Sequence, residues 1–223
     1  MDTETTHTYI HNMRIKIVPA ILCLLAAAAL PLRAANPHIP VSSGTVDVKT
    51  GNTALTLDQQ FVTTLNTAAI SLKKVIPGKI KPGKGELNFP VSGGAFDLAD
   101  TKSEIVHGGG ITFVANGVTV AISELILTSP ASTDTTTTPG ISALITVNGA
   151  LSGRVDLMAV DFSSITAPFT LPRNKTVVLS NLPLKLTADG ATALNTAFST
   201  TVFTPDMVVG TATVKAITGR EDL

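Results

Sequence analysis

The chain has 223 residues, with 16 basic side chains, 16 acidic side chains and four histidines, so it is close to neutral. Nucleic acid is a poor partner for it, because proteins that bind nucleic acid carry a basic footprint. A single cysteine, a single tyrosine and no tryptophan exclude a disulfide framework and leave few rings with a polar edge for stacking on sugars.

The first element in chain order is an export leader over residues 1–34. Met13-Arg14-Ile15-Lys16 supplies a positive start, Ile17 to Leu30 an apolar core, and Arg33-Ala34-Ala35 a cleavage region. The core is 14 residues long, short of the roughly 18 that span a bilayer, and Pro31 closes it. No integral membrane anchor is expected, and the leader directs the protein to a secreted, periplasmic or cell-envelope location. The polar stretch from Met1 to Asn12 sits oddly ahead of the positive start, which leaves both Met1 and Met13 as candidate initiators and points to Met13. Cys23 follows Ile21-Leu22 inside the apolar core, where a lipid-attachment site would need small residues. Loss of the leader removes Cys23, Tyr9, three basic residues and two acidic ones, leaving a net charge of −1. Such a chain must fold on its core alone. Residues 35–42 lead in, 43–219 form one domain, and 220–223 are a polar tail.

Short β-type runs fill most of that domain. Val46 and Val48 alternate with polar residues, as do Leu87, Phe89 and Val91, and then Ile111 and Phe113. Val118 to Ile122, Leu125 to Leu127, Ile141 to Val147, Val155 to Val160 and Val177 to Leu179 continue the pattern. Asn116-Gly117 and Asn148-Gly149 are two-residue hairpin signals. The composition predicts a mainly β domain.

Two segments interrupt the strands and resemble each other. Leu55-Thr56-Leu57-Asp58 leads into Leu65-Asn66-Thr67-Ala68, and Leu184-Lys185-Leu186-Thr187 leads into Leu194-Asn195-Thr196-Ala197. Each reads as a strand, an N-cap (Asp58 or Thr187) and a short helix. The buried stripes would be Phe61, Leu65, Ala69 and Gly190, Leu194, Phe198, with Phe198 restoring the volume that Gly190 lacks. A second echo links Pro40-Val41-Ser42-Ser43-Gly44 with Pro90-Val91-Ser92-Gly93-Gly94 and reads as a strand, a Ser/Gly turn and a new strand. The two echoes have offsets of 129 and 50 residues, which excludes a solenoid of fixed period. Ser129 to Gly140, with four successive threonines, reads as an exposed loop and a candidate for O-linked sugar.

Chemistry-bearing residues are sparse. His38 belongs to the lead-in segment, which leaves His107 as the strand-borne histidine, followed by Gly108-Gly109-Gly110. Glycines there let a ligand or another backbone come close, and Phe96 and Phe113 are near enough in sequence to line an apolar slot. No Gly-x-Ser-x-Gly elbow accompanies the histidine, so hydrolase chemistry is the remotest reading. Asp97, Asp100 and Glu104 form a weak calcium-type string, and no set of residues carries metal-ligand spacing. Lys73, Lys74, Lys79, Lys81 and Lys84 form the one charge run, without an acid between Gln60 and Glu86. That run reads either as the protection of an edge strand or as a patch for an anionic polymer or lipid headgroup.

Phe89-Pro90-Val91-Ser92-Gly93-Gly94 with Asp97, then Ile105 to Phe113, and Leu184 to Ala191 followed by Phe198, resemble the haem-transport-associated (HtaA-type) domain of secreted bacterial proteins. The resemblance implies a β-sandwich with two short helices, which matches the residue-level reading of an antiparallel β-sandwich. It also implies haem, held through a tyrosine ligand backed by a histidine. His107 falls at the position of that histidine, whereas no tyrosine follows the leader. The resulting expectation is an exported, non-catalytic binding or interaction module that needs no cofactor, its partner a protein, a polymer or a small apolar ligand. The alternative is a haem-binding or haem-transport protein in which His107 is the axial donor.

Overall fold

A computed structural model describes residues 44–81, 85–171 and 175–219. The expected leader (1–34), the lead-in segment (35–42), Lys84 and the polar tail (220–223) lie outside the described residues.

Alternating apolar residues form β1 (Thr45–Leu57), and Asp58 then starts α1 (Gln59–Thr67). Its carboxylate accepts hydrogen bonds from the Gln60 and Phe61 amides at 2.7 and 3.3 Å, satisfying donors that a helix start leaves open. The short strands β2 (Ser71–Val75) and β3 (Lys79–Lys81) follow, then β4 (Glu86–Asp97) and β5 (Ser103–His107). Next come β6 (Gly110–Ala115), β7 (Val118–Ser129), β8 (Gly140–Val147) and β9 (Ala150–Val160). The chain finishes with β10 (Thr176–Leu186), α2 (Ala188–Phe198) and β11 (Val208–Thr218). Asn116-Gly117 joins β6 to β7 and Asn148-Gly149 joins β8 to β9, all four residues having φ between 49° and 82°. Two successive positive φ values are what a type I′ hairpin turn requires.

All pairings are antiparallel, and eight strands close on themselves in the order β7-β5-β4-β1-β11-β10-β9-β8, with β8 returning to β7. The mainly β fold with two helices is therefore as expected, in the form of a sandwich-like closed barrel. Closure removes the free edges that separate sheets would have to protect. Outside the ring, β6 and β2 extend from β7, and β3 is added to β4. The interior is apolar, with Phe96, Leu87, Ile105, Ile122, Leu127 and Leu179 at most 2% exposed. Among the described residues no helix is long and apolar enough to cross a membrane.

Three local readings are corrected. Ser92-Gly93-Gly94 is not a turn: β4 runs through it, with a register shift between Val91 and Gly93. Gly94 is required there because a Cβ would collide with the Glu104 carbonyl. In α1, Phe61 and Leu65 are buried, but the helix stops at Thr67 and Ala69 is exposed at φ 53°, so Ile70 takes the next buried position. In α2, Gly190, Ala191 and Leu194 are buried, while Phe198 is only half-buried. Gly190 is present because a Cβ would strike the Leu157 carbonyl of β9. Close helix-to-strand approach, not volume exchange with Phe198, explains the glycine.

Candidate functional site

Strand β7 changes partner halfway along its length. Val118–Ser123 pairs with β6, and Ile126–Ser129 pairs with β5. At the switch Glu124 takes a left-handed φ of 49°, and the ladder to β8 slips between Ser123 and Ile126. Leu125 falls outside every pairing register, so its carbonyl needs another donor. The last residue of β5 supplies one: Nδ1 of His107 lies 3.3 Å from the Leu125 carbonyl oxygen.

The other ring nitrogen is also engaged. Thr53 Oγ1 of β1 is 2.7 Å from His107 Nε2, reaching across β4, where Thr53 faces Phe89 and Val91 faces His107. A carbonyl can only accept, so Nδ1 carries the proton, and Nε2 accepts from the Thr53 hydroxyl. His107 is 5% exposed and Thr53 6%. Burial drives the His107 pKa down to about 4, outweighing the upward pull of the Leu125 carbonyl. Near neutral pH the imidazole is uncharged, and both of its nitrogens have partners.

Thr53 and His107 line an apolar cavity of about 50 Å³, their polar atoms being spent on each other and on the Leu125 carbonyl. Leu55, Phe61, Leu72, Phe89 and Phe113 also line the cavity. Phe113 thus stands on the same cavity as His107, but Phe96 does not: it is fully buried elsewhere, edge-on to Phe169 with ring centroids 4.8 Å apart. Two of the three glycines after His107, Gly109 and Gly110, sit against protein backbone. A Cβ on Gly109 would overlap Gly78, one on Gly110 would overlap the Ile122 carbonyl, and Gly108 lies against Pro77. Lys73 and Lys74 are exposed on β2, Lys79 is exposed on β3, and Lys81 ends β3. In the calcium-type string, Asp97 accepts from the Ala99 amide and Asp100 from the amides of Thr101 and Ser132.

Sequence reasoning missed Thr53 and Leu125. Thr53 carries a signal in retrospect, since it stands in phase with the inward Leu55 and Leu57. Leu125 carries none for its bond to His107, because the group that His107 meets is a backbone carbonyl.

No protein-family model and no curated protein matches the chain. Solved structures do. The C-terminal domain of HtaA from Corynebacterium glutamicum aligns with a TM-score of 0.58 at 16% identity, covering 78% of this chain and 99% of that domain. The fold is that of the HtaA domains. The N-terminal domain of the same HtaA aligns at 0.55 with 13% identity over the same shares. The protein described as heme binding protein HtaB, from the same organism, aligns at 0.52 with 14% identity, over 78% of this chain and 96% of its own.

Haem can be tested against the residues present. A donor to iron must offer a free lone pair, and that of His107 Nε2 is occupied by Thr53. The only tyrosine in the sequence is Tyr9, and no tyrosine occurs among the described residues. A cavity of about 50 Å³ is smaller than the ~150 Å³ that houses a benzene ring, and a porphyrin is several times larger. The closed barrel does not fit haem.

Proposed function

We propose that this chain is an exported, non-catalytic binding protein that takes an apolar ligand at the His107 wall of its barrel. One observation carries the reading: a buried, neutral His107 and Thr53, their polar atoms satisfied within the wall, leave a wholly apolar cavity beside them. Ligand pockets are lined predominantly by such apolar and aromatic side chains. A base with a pKa of about 4, on which Thr53 supplies the one hydroxyl among the described residues, does not support a hydrolase.

Haem is the second reading, and the fold favours it, because HtaB of the same fold is described as a heme binding protein. It requires the cavity to widen and Thr53 to leave Nε2. Hemin titration of the wild type, His107→Ala and Thr53→Val separates the two readings. A Soret shift that Thr53→Val strengthens and His107→Ala abolishes supports haem. Silence from all three removes it. The first reading is then tested with xenon, an apolar probe small enough for the cavity, followed through the His107 ring resonances by NMR, and unchanged resonances would overturn it.

A further inference from the structure

Ile76 is the most exposed large apolar side chain among the described residues, at 80%. It occupies the Val75–Gly78 turn between β2 and β3, in which the Gly78 amide donates to the Val75 carbonyl at 2.8 Å. Pro77 beside it is exposed, as are Lys73 and Lys74 on one side and Lys79 on the other. None of these three lysines has a carboxylate partner among the described residues. Glu86 is the nearest acid in the pairing, standing opposite Lys81 in register. The turn is held in place, since Gly78 packs on Gly109 and Pro77 on Gly108. Backbone packing therefore fixes the isoleucine outward, in the middle of the basic run.

We propose that this turn docks on the anionic surface of a lipid bilayer, with Ile76 and Pro77 entering the headgroup–acyl boundary and Lys73, Lys74 and Lys79 meeting headgroup phosphates. The lysines alone would suit any polyanion. The isoleucine decides for lipid, because a hydrated polymer offers no apolar volume to receive it. The chain as a whole is close to neutral, so attraction is local to the turn, reversible and sensitive to salt. Leu151, 67% exposed on the β8–β9 hairpin, has no lysine in that hairpin and serves as the internal control. The proposal is independent of what occupies the barrel.

Co-sedimentation with large unilamellar vesicles tests it, using the chain from Ala35 onward, whose barrel is closed by its own strands. The wild type should bind vesicles of equal parts phosphatidylcholine and phosphatidylglycerol, ignore pure phosphatidylcholine, and be released by about 0.5 M sodium chloride. Ile76→Ser should lower the partition about fivefold. The triple variant Lys73→Gln/Lys74→Gln/Lys79→Gln should lower it about tenfold or more, and Leu151→Ser should leave it unchanged. Failure of the wild type to bind the mixed vesicles overturns the proposal. So does binding that depends on the lysines but not on Ile76, which would show attraction to phosphate charge without entry into the acyl boundary. An equal loss in Leu151→Ser would show non-specific adsorption and overturn it as well.

Discussion

Thr53 Oγ1 donates to His107 Nε2 at 2.7 Å, although the two residues are 54 positions apart and stand on strands separated by β4. The bond is buried, and it holds the ring between β1 and the kink of β7. Removing the hydroxyl while keeping the shape isolates its contribution. Thr53→Val should destabilise the fold by about 1–3 kcal/mol, because Nε2 is left as a buried acceptor without a donor. Urea unfolding checks this, and an unchanged midpoint would show that the bond contributes nothing.

Stability should depend on pH through the same ring. His107 titrates at about 4 in the folded state against 6.5 as its ordinary value, so the unfolded chain binds more protons between those two values. Its contribution is fully present above about pH 6.5 and is lost as pH falls toward about 4. The loss amounts to roughly 3 kcal/mol. His107→Leu should lack it, so the stability difference between wild type and variant should shrink between pH 7.5 and 4.5. A difference independent of pH would contradict the buried neutral imidazole.

The two helices should prove equally necessary to the core. Leu65 and Leu194 are 2% and 1% exposed, and truncating a leucine so placed leaves a cavity. Leu65→Ala and Leu194→Ala should each cost about 2–5 kcal/mol in chemical denaturation. A cost below about 1 kcal/mol at either site would mean that its helix packs loosely.

Gly109 tests what the glycine run is for. It adopts φ 77°, and a Cβ would overlap the backbone of Gly78. Gly109→Ala should therefore cost about 1–3 kcal/mol even without any ligand. An apo protein as stable as wild type, with altered ligand binding, would return these glycines to the role of ligand contacts.

The sequence by itself determined the elements and their punctuation. Period-2 alternation marked the strands, Asn116-Gly117 and Asn148-Gly149 marked the hairpins, and Asp58 and Thr187 marked the helix starts, because all of these are local signals. His107 stood out as the one histidine on a predicted strand. The tertiary structure alone decided what surrounds it. Leu125 contributes a carbonyl freed by a partner switch in β7, which no side chain announces, and Thr53 arrives from two strands away. Phe96 and Phe113 looked equivalent in sequence, yet only Phe113, on β6 outside the closed ring, lies on the cavity. Gly94 and Gly190 read as a turn and as missing volume, and Gly109 as room for a ligand or another backbone. Each lies where another backbone passes too close for a Cβ, and that closeness is set by packing between elements distant in the chain.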